Sequence, residues 1–485
     1  MLFNSYSFLI FFPVVTLIFF LIPQKFKWIW LLAASYYFYM SWNAYYALLL
    51  FTSTLITFLS GIFIERAGSS QKLKRLAVAF SFITNLGILF FFKYYGFFFE
   101  NINRILSAFN LIIDPPLFDV LLPVGISFYT FQALSYTADV YRGQIKASHN
   151  LGKYALFVSF FPQLVAGPIE RSVDLLPQIS EMHRFDYERM KRGLLLMLWG
   201  FVLKLVIADR LGLIVNNIYL NIPAAGGTEL VLATLCFAVQ IYCDFNGYSS
   251  IAIGAAEVMG FKLTRNFNLP YFSSSVREFW RRWHITLGAW FREYLYIPLG
   301  GNRKGKIRKY LNIMTVFILS GLWHGADLTF AAWGALHGGY QIAEYAISGA
   351  AKKQISRINP KLKKIIGIII TFILVCFAWI FFRAETLADA AGAVSKIFNL
   401  RSYNGIREAL LNAGLPLEEL MASAISVAAL FIVSLAMRKG SIRDKLMRKP
   451  LPIQWTIYLA GIFAVLIFGI YGSAAGASDF IYFQF

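Results

Sequence analysis

One histidine lies inside a long apolar run and is the side chain best placed for chemistry. His324 stands in the sequence Gly321-Leu-Trp-His-Gly325, about 15 residues after Lys309, which is roughly 22 Å along a helix. A group at that depth in a membrane is costly to charge and normally faces a bundle interior or a water-filled cavity. Because Gly321 and Gly325 leave room for a ligand, a neutral imidazole there is suited to general-base work on a hydroxyl or a thioester. A satisfied structural histidine is the alternative interpretation.

A second histidine lies in a segment of aromatic and basic residues. The stretch Val276–Arg292, VREFWRRWHITLGAWFR, places its aromatic side chains on one side of a helical wheel and its charged side chains on the other, with His284 at the border. We expect one continuous helix in the membrane interface, with its aromatic side in the acyl boundary and its arginines in water. Either this helix is an anchor whose histidine faces a headgroup, or His284 and the arginines form the mouth of a cytoplasmic funnel. In such a funnel, guanidinium groups would bind the phosphates of an acyl donor.

A carboxylate inside an apolar segment is a further candidate. Asp244 stands in the sequence Tyr242-Cys-Asp-Phe-Asn246-Gly, and the cost of burying its charge predicts a partner. It either orients a histidine or bonds to neighbouring backbone. We group it with the side chains predicted to bind the donor or to line a tunnel. These are Arg277, Arg281, Arg282, Trp283, Asp244, Asn246 and Trp323.

The remaining histidines are interpreted as structural or solvated. His337 follows His324 by about 13 residues, which places it on the opposite side of a continuous helix, so we expect a structural role. His149 and His183 stand in polar, loop-like stretches and are expected to contact water.

Membrane helices are the elements that must hold these side chains. Of the 485 residues, 58% are hydrophobic and 14% are charged, and the mean hydropathy of +0.60 exceeds what a soluble core needs. Apolar runs long enough to cross about 30 Å of hydrocarbon recur, and in lipid they must be helical. The clearest are Leu2–Ile22, Trp28–Phe63, Leu76–Phe99, Gly193–Val215, Leu230–Met259, Ile365–Phe382, Met421–Met437 and Ile453–Ile470. We predict an all-α polytopic membrane protein with roughly 11 to 13 transmembrane or re-entrant helices, whose first run is a retained helix and not a signal peptide.

The formal net charge of +20 is distributed as in a membrane protein. Basic clusters at the ends of apolar runs are typical of cytoplasmic loops, which argues against nucleic acid as a partner. They are Lys25 with Lys27, Lys72–Arg75, Arg303–Lys309, Lys352–Lys364 and Arg438–Lys449. Placing each cluster inside puts the N-terminus and the C-terminus outside the cytoplasm. The same clusters are suited to contact anionic membrane lipids or an anionic donor.

Residues 1–485 contain no long soluble stretch, so we predict a single integral membrane domain. The polar external segment 383–416 is too small for an independent catalytic domain, and soluble chemistry outside must use a partner. Cys236, Cys243 and Cys376 lie in apolar segments without CxxC spacing, and we predict neither a disulfide nor a metal site.

Several distinctive motifs occur in order along nearly the whole chain, with a core signature region of residues 120–340. They are Leu121–Gly143, Phe160–Ile169, Gln240–Gly254, Arg265–Gly305, Ser320–Gly338 and the terminal FIYFQF, Phe480–Phe485. Together these motifs resemble those of the membrane-bound O-acyltransferases, most closely the bacterial alginate and peptidoglycan O-acetyltransferase branch.

This resemblance implies a ring of helices around a central tunnel in the bacterial cytoplasmic (inner) membrane. His324 then corresponds to the family's catalytic histidine and His284 to its second signature histidine. An acyl donor, acetyl-CoA, would enter from the cytoplasm, and no cofactor would be bound permanently. A secreted or anchored SGNH hydrolase-like partner would place the acetyl group on a polysaccharide. The external motif of residues 480–485 would dock that partner or receive the acyl group, through Tyr482 and Phe485.

Two other functions remain open from the sequence. A transporter or channel would explain the many helices and Asp244 but not the aromatic and basic segment around His284. Within the acyltransferases, the D-alanylation branch takes its acyl group from a carrier protein and serves teichoic acids. The stretch Leu295–Gly305 resembles the acetyltransferase branch more. Which polysaccharide is acetylated, among alginate, peptidoglycan, cellulose and other glycans, is left open.

Overall fold

The computed structural model describes residues 1–111, 113, 122–165, 167–350, 359–471 and 480–481. These residues form helices joined by turns and short loops, without a strand among them, which confirms the predicted all-α class. They divide into two compact units. The first comprises Met1–Leu194 and Ala252–Thr264, and the second comprises Leu195–Ile251 and Arg265–Phe485.

In the first unit, polar side chains join apolar helices. Ser53 donates a hydrogen bond to Asn85 Oδ1 at 2.5 Å, and the Tyr154 hydroxyl donates to Thr57 Oγ1 at 2.8 Å. Such bonds between helices replace water where none is available. The helices are α1 (Tyr6–Leu21), α2 (Gln24–Met40), α3 (Tyr46–Arg66), α4 (Gln71–Ser107), α5 (Ile126–Tyr141), α6 (Leu151–Ser159), α7 (Phe161–Leu164), α8 (Ser172–Gln178) and the start of α9 (Tyr187–Phe201).

The two loop histidines of this unit differ. His149 is exposed and lies 2.7 Å from Glu65, whereas His183 is buried, so the prediction that both contact water is wrong for His183. The imidazole of His183 stacks on Phe261 with ring centroids 4.1 Å apart, and its Nε2 donates to the Gln178 carbonyl. An aromatic neighbour distant in sequence covers this residue, which the polar local sequence does not reveal.

The second unit holds both signature histidines. A π-helical turn, Val202–Ala208, joins α9 to the next helix. The helices are α10 (Asp209–Tyr219), α11 (Gly227–Met259, whose last turns belong to the first unit), α12 (Val276–Trp280), α13 (Ile285–Phe291), α14 (Gly305–His324), α15 (Leu328–Ala350), α16 (Pro360–Arg383), α17 (Leu387–Phe398), α18 (Ile406–Asn412), α19 (Leu417–Met437), α20 (Ile442–Met447) and α21 (Leu451–Phe468).

Six of the described helices are long and apolar enough to cross a membrane, namely α3, α4, α11, α16, α19 and α21. Helix α21 exposes large apolar side chains over most of its surface, among them Ile457, Phe463 and Leu466. Such a surface is unfavourable in water and suits lipid. The chain is therefore a multi-pass membrane protein. The predicted number of roughly 11 to 13 spans includes shorter segments and stays a prediction.

A tight antiparallel hairpin of α14 and α15 carries His324 at its tip. A Cβ atom on Gly321 would lie 2.1 Å from the Phe330 carbonyl oxygen, and one on Gly334 would lie 2.3 Å from that of Phe317. The two backbones are thus in direct contact, as small residues permit in membranes. Helix α14 ends at His324, and the chain turns before α15 begins, so the prediction of a continuous helix from His324 to His337 is wrong.

We expect Gly334→Ala to destabilise this hairpin, because its added methyl group meets backbone that has no room to move. Overpacking of this kind costs roughly 1–3 kcal/mol. Thermal unfolding of the purified protein in detergent measures the change. Gly339→Ala on the same helix is the matched control, since a Cβ there meets nothing within 4 Å. Equal melting temperatures for the two variants would contradict the interpretation.

Candidate active site

His324 lies inside a wall of aromatic rings. Its side chain is buried, and its ring centroid lies 5.0 Å from that of Trp323, 5.1 Å from Trp333 and 5.5 Å from Phe382. These rings come from α14, α15 and α16, so the helical hairpin and one further helix together place the imidazole. Apolar rings exclude water, and a neutral imidazole there keeps a lone pair for accepting a proton.

His284 occupies a strained position between two short helices. Its backbone has φ 43° and ψ 55°, the left-handed region that residues other than glycine rarely adopt. Helix α12 ends at Trp280 and α13 begins at Ile285, so the predicted continuous helix Val276–Arg292 is wrong. Two backbone hydrogen bonds tie the turn to the preceding loop, from Asn268 N–H to the Arg282 carbonyl and from Ile285 N–H to the Asn266 carbonyl. The periodicity of the sequence carries no sign of these bonds.

The aromatic side of this segment faces protein, which corrects the predicted interfacial orientation. Phe279 and Trp283 are fully buried and stack with ring centroids 5.5 Å apart. Trp283 also packs on Trp379 of α16 at 5.2 Å. The apolar residues of α12 and α13 thus build the core around the histidines instead of lying in the acyl boundary.

His284 lies beside His324 and not at the mouth of a funnel, which corrects the second prediction. Its side chain is buried, and the two imidazole centroids are 6.3 Å apart. The Phe245 ring meets His284 edge-on at 4.6 Å. The structure therefore brings together two histidines that stand about 40 residues apart in the sequence.

Asn266 fixes the protonation of His284 and was missed by the sequence analysis. Its Oδ1 accepts hydrogen bonds from the backbone N–H and the hydroxyl of Thr286 and lies 3.2 Å from His284 Nδ1. Because an amide oxygen can only accept hydrogen bonds, His284 Nδ1 is the donor and carries the proton, and Nε2 has the lone pair. An asparagine in a loop has no distinctive spacing, although Asn266 lies within the Arg265–Gly305 motif.

A cavity of about 400 Å³ lies between α12, α13, α14 and α15. Arg277, Arg281 and Arg292 contribute its positive charge. Its lining also includes Ile285, the residue after His284, and Ser320, one helical turn before His324. The cavity therefore combines basic groups with residues adjacent in sequence to His284 and one turn from His324.

The predicted donor-binding residues separate into two groups. Arg277 and Arg281 line the cavity, and Arg277 Nε also lies 3.1 Å from Glu344 Oε1. Trp323 packs against both histidines, with ring centroids 5.9 Å from His284 and 5.0 Å from His324.

The other members of that set lie elsewhere. Arg282 forms an ion pair with Glu278 at 2.5 Å, and Trp283 belongs to the buried core. The amide of Asn246 donates to the Tyr242 hydroxyl at 3.4 Å. The cavity lining includes none of these three predicted residues.

Asp244 belongs to a buried ion cluster, which confirms that it has a partner. Lys204 Nζ lies 2.7 Å from Asp244 Oδ1 and 2.8 Å from Asp209 Oδ1, and all three side chains are nearly inaccessible. The Ile481 N–H donates to Asp244 Oδ2 at 2.7 Å, so Asp244 also binds backbone, though distant backbone and not that of its neighbours. A lysine in the apolar run Gly193–Val215 was a signal for this pairing that the sequence analysis did not use.

The described part of the terminal motif reaches the same region. Phe480 is buried and packs on Tyr248 at 4.4 Å and on Phe245 at 5.7 Å. Phe245 also contacts His284. Tyr482 and Phe485 lie outside the described residues, and their predicted role stays a prediction.

His337 packs against aromatic residues that surround the site. Its buried Nδ1 accepts a hydrogen bond from Trp280 Nε1 at 3.2 Å, and both His337 and His324 contact the Trp333 ring. Within the part of the chain that the structure describes, no group of three or more histidine, cysteine and acidic residues is placed to hold a metal ion.

Comparisons with known proteins show the family of the chain. The model of the membrane-bound O-acyltransferase (MBOAT) family matches residues 34–387, a range that includes both histidines. "Probable alginate O-acetylase AlgI" of Pseudomonas putida is 36% identical over 100% of both chains. "Peptidoglycan O-acetyltransferase" of Helicobacter pylori is 35% identical over 78% of this chain and 74% of its own. "Teichoic acid D-alanyltransferase" of Bacillus subtilis is 26% identical over 54% of this chain and 69% of its own.

The family match covers most of the chain, and two relatives exceed 30% identity over most of their own length. These findings confirm the resemblance carried by the motifs and set aside the transporter as an alternative. The chain belongs to the membrane-bound O-acyltransferases, a family of enzymes that transfer acyl groups to hydroxyl oxygens.

Proposed function

We propose that this O-acyltransferase takes acetyl from acetyl-CoA in the cytoplasm and passes it across the membrane for O-acetylation of an extracytoplasmic polysaccharide. The observation that carries the proposal is the pair of buried histidines, 6.3 Å apart, together with an arginine-lined cavity whose lining includes Ile285 and Ser320. The relatives named for alginate and peptidoglycan O-acetylation support acetyl as the group transferred. The relative named for D-alanyl transfer matches only about half of the chain at lower identity, so a carrier-bound D-alanyl donor has less support.

The cavity has the properties that a nucleotide thioester requires. Guanidinium groups bind phosphate oxygens strongly, and Arg277, Arg281 and Arg292 line this one space. Its volume of about 400 Å³ falls in the range of ligand pockets. A donor held at the arginines would extend its thioester arm along α14 past Ser320 toward His324.

His324 acts as the general base in this proposal. Its imidazole takes the proton from the acceptor hydroxyl while the hydroxyl oxygen attacks the thioester carbonyl. The carbon–sulfur bond then breaks, and the departing thiolate takes the proton back from the imidazolium, which yields an O-acetyl ester and the free thiol of coenzyme A. Alternatively, the acetyl group rests on His324 before the hydroxyl attacks, with the same products.

His284 and Asn266 stabilise the charge that develops on His324. Because Asn266 holds the His284 proton on Nδ1, Nε2 of His284 carries the lone pair and can act as an acceptor. A fixed acceptor close to a forming imidazolium lowers the cost of charge in an apolar pocket.

Delivery to the polymer requires a second protein in this proposal. An SGNH hydrolase-like partner outside the cytoplasm would take the acetyl group and place it on sugar hydroxyls, with residues 480–485 as its meeting point. In this proposal the protein lies in a bacterial inner membrane with both termini outside the cytoplasm, an orientation that the basic clusters support by the positive-inside rule.

We expect His324→Ala to reduce release of labelled acetyl from acetyl-CoA by at least about 100-fold, the contribution typical of a general base. The assay uses purified protein in nanodiscs, with wild type alongside. His149→Ala, at an exposed histidine paired with Glu65, should leave the rate unchanged. Full activity in a folded His324→Ala variant would disprove the assignment.

Asn266→Ala should lower the turnover number by roughly tenfold or more, because His284 loses the group that fixes its tautomer. Asn266→Asp keeps an oxygen acceptor at the same place and should restore most of the rate. Turnover of both variants is measured at saturating acetyl-CoA. Similar losses in both would indicate that Asn266 supports only the local fold.

Arg281→Gln should raise the KM for acetyl-CoA several-fold with little change in turnover number, since phosphate binding is equal in the ground state and the transition state. Arg303→Gln, in the exposed basic cluster that begins α14, controls for overall charge. An unchanged KM in Arg281→Gln, or an equal rise in Arg303→Gln, would argue against a phosphate site in the cavity.

A further inference from the structure

Three aromatic rings that do not line the cavity pack around His324. Trp333 is fully buried, and Phe382 and Trp323 are nearly so. Their centroids lie 5.0–5.5 Å from that of His324, which is the range of direct ring contact. Additional atoms therefore do not fit between the imidazole and these rings.

A second layer of rings prevents the first from moving aside. Phe330 meets Phe382 edge-on at 4.9 Å, and Trp379 meets it at 5.2 Å. Trp333 contacts Phe382 at 5.1 Å and stacks on Trp379 at 5.8 Å. Close-packed interiors of this kind yield little to an inserted group.

The direction of donor entry decides which part of the donor meets this wall. The cavity lining reaches Ser320, one turn before His324, and includes neither Trp333 nor Phe382. A thioester carbonyl within reacting distance of His324, about 3–3.5 Å, then directs its alkyl tail away from the cavity and into the rings. A methyl group adds little volume there, whereas each further methylene group must displace a ring.

We propose that the aromatic wall around His324 restricts the transferred acyl group to acetyl and that Phe382 is the residue that sets this limit. The inference rests on the proposed function, in which the acyl thioester reaches His324 from the cavity. Phe382 is singled out because α16 supplies it from outside the hairpin that carries His324, and its side chain is a hydrocarbon ring without a polar atom. Its truncation opens space beside His324 without removing a polar partner.

The experiment compares acyl release from acetyl-CoA, butyryl-CoA and hexanoyl-CoA by wild type and Phe382→Ala in nanodiscs. Wild type should prefer acetyl-CoA strongly. In Phe382→Ala, the ratio of kcat/KM for butyryl-CoA to that for acetyl-CoA should rise roughly tenfold, because two further methylene groups become buried in the space vacated by the ring. Phe381→Ala is the matched control, since Phe381 is the adjacent residue and packs on Phe377 at 5.8 Å instead of on His324.

The outcomes separate this inference from the proposed function. Absence of His324-dependent acetyl release in folded wild type would contradict the proposed function itself. Acetyl release with an unchanged chain-length ratio in Phe382→Ala, or equal use of butyryl-CoA by wild type, would overturn the inference alone. If Phe382→Ala does not fold, Phe382→Leu, which removes less volume, takes its place, and an unchanged ratio in that variant has the same consequence.

Discussion

The direct backbone contact between α14 and α15 is the constraint on which the site depends. Gly321 and Gly334 let the two helices approach until carbonyl oxygens fill the space where side chains would be. This approach places Trp333 of one helix against His324 at the end of the other. Side chains at those glycines would separate the helices and open the aromatic wall. The spacing of small residues thus determines how dry the environment of His324 is.

The strain at His284 is offset by the bonds around Asn266. A left-handed conformation at a residue other than glycine costs on the order of 1–3 kcal/mol and persists only where its surroundings enforce it. Here the Asn266 carbonyl holds Ile285, and the Asn266 side chain binds Thr286 and His284. The same asparagine therefore stabilises the turn and fixes the proton of the imidazole. The break between α12 and α13 and the position of the proton on the His284 ring therefore depend on the same residue, which explains why a strained residue lies beside His324.

Sequence reasoning located the histidines better than it described their surroundings. The position of His324 within an apolar run was enough to predict that it faces the interior of the protein, because an ionisable group in such a run is normally buried. The wheel drawn over Val276–Arg292 was wrong because periodicity carries no sign of a left-handed residue, and the loop bonds that produce it come from Asn266 and Asn268. The pairing of Lys204 with Asp209, in the same apolar run, or with Asp244 could have been predicted, since a lysine in such a run needs an acid. The ring contacts of Phe382 could not have been predicted, because they depend on how α16 packs on the hairpin.

The ion cluster at Lys204 connects the end of the chain to the site. Lys204 with Asp209 and Asp244 leaves a buried excess of one negative charge, and breaking such a cluster by removing one partner typically costs about 3–5 kcal/mol. Asp244 uses its second oxygen to hold the Ile481 N–H, while Phe480 packs on Phe245. Since Phe245 is also in contact with His284, residues 480–481 share a wall with the histidine pair. Whether the terminal motif meets a partner or receives the acyl group, its first residues are fixed within two ring contacts of His284.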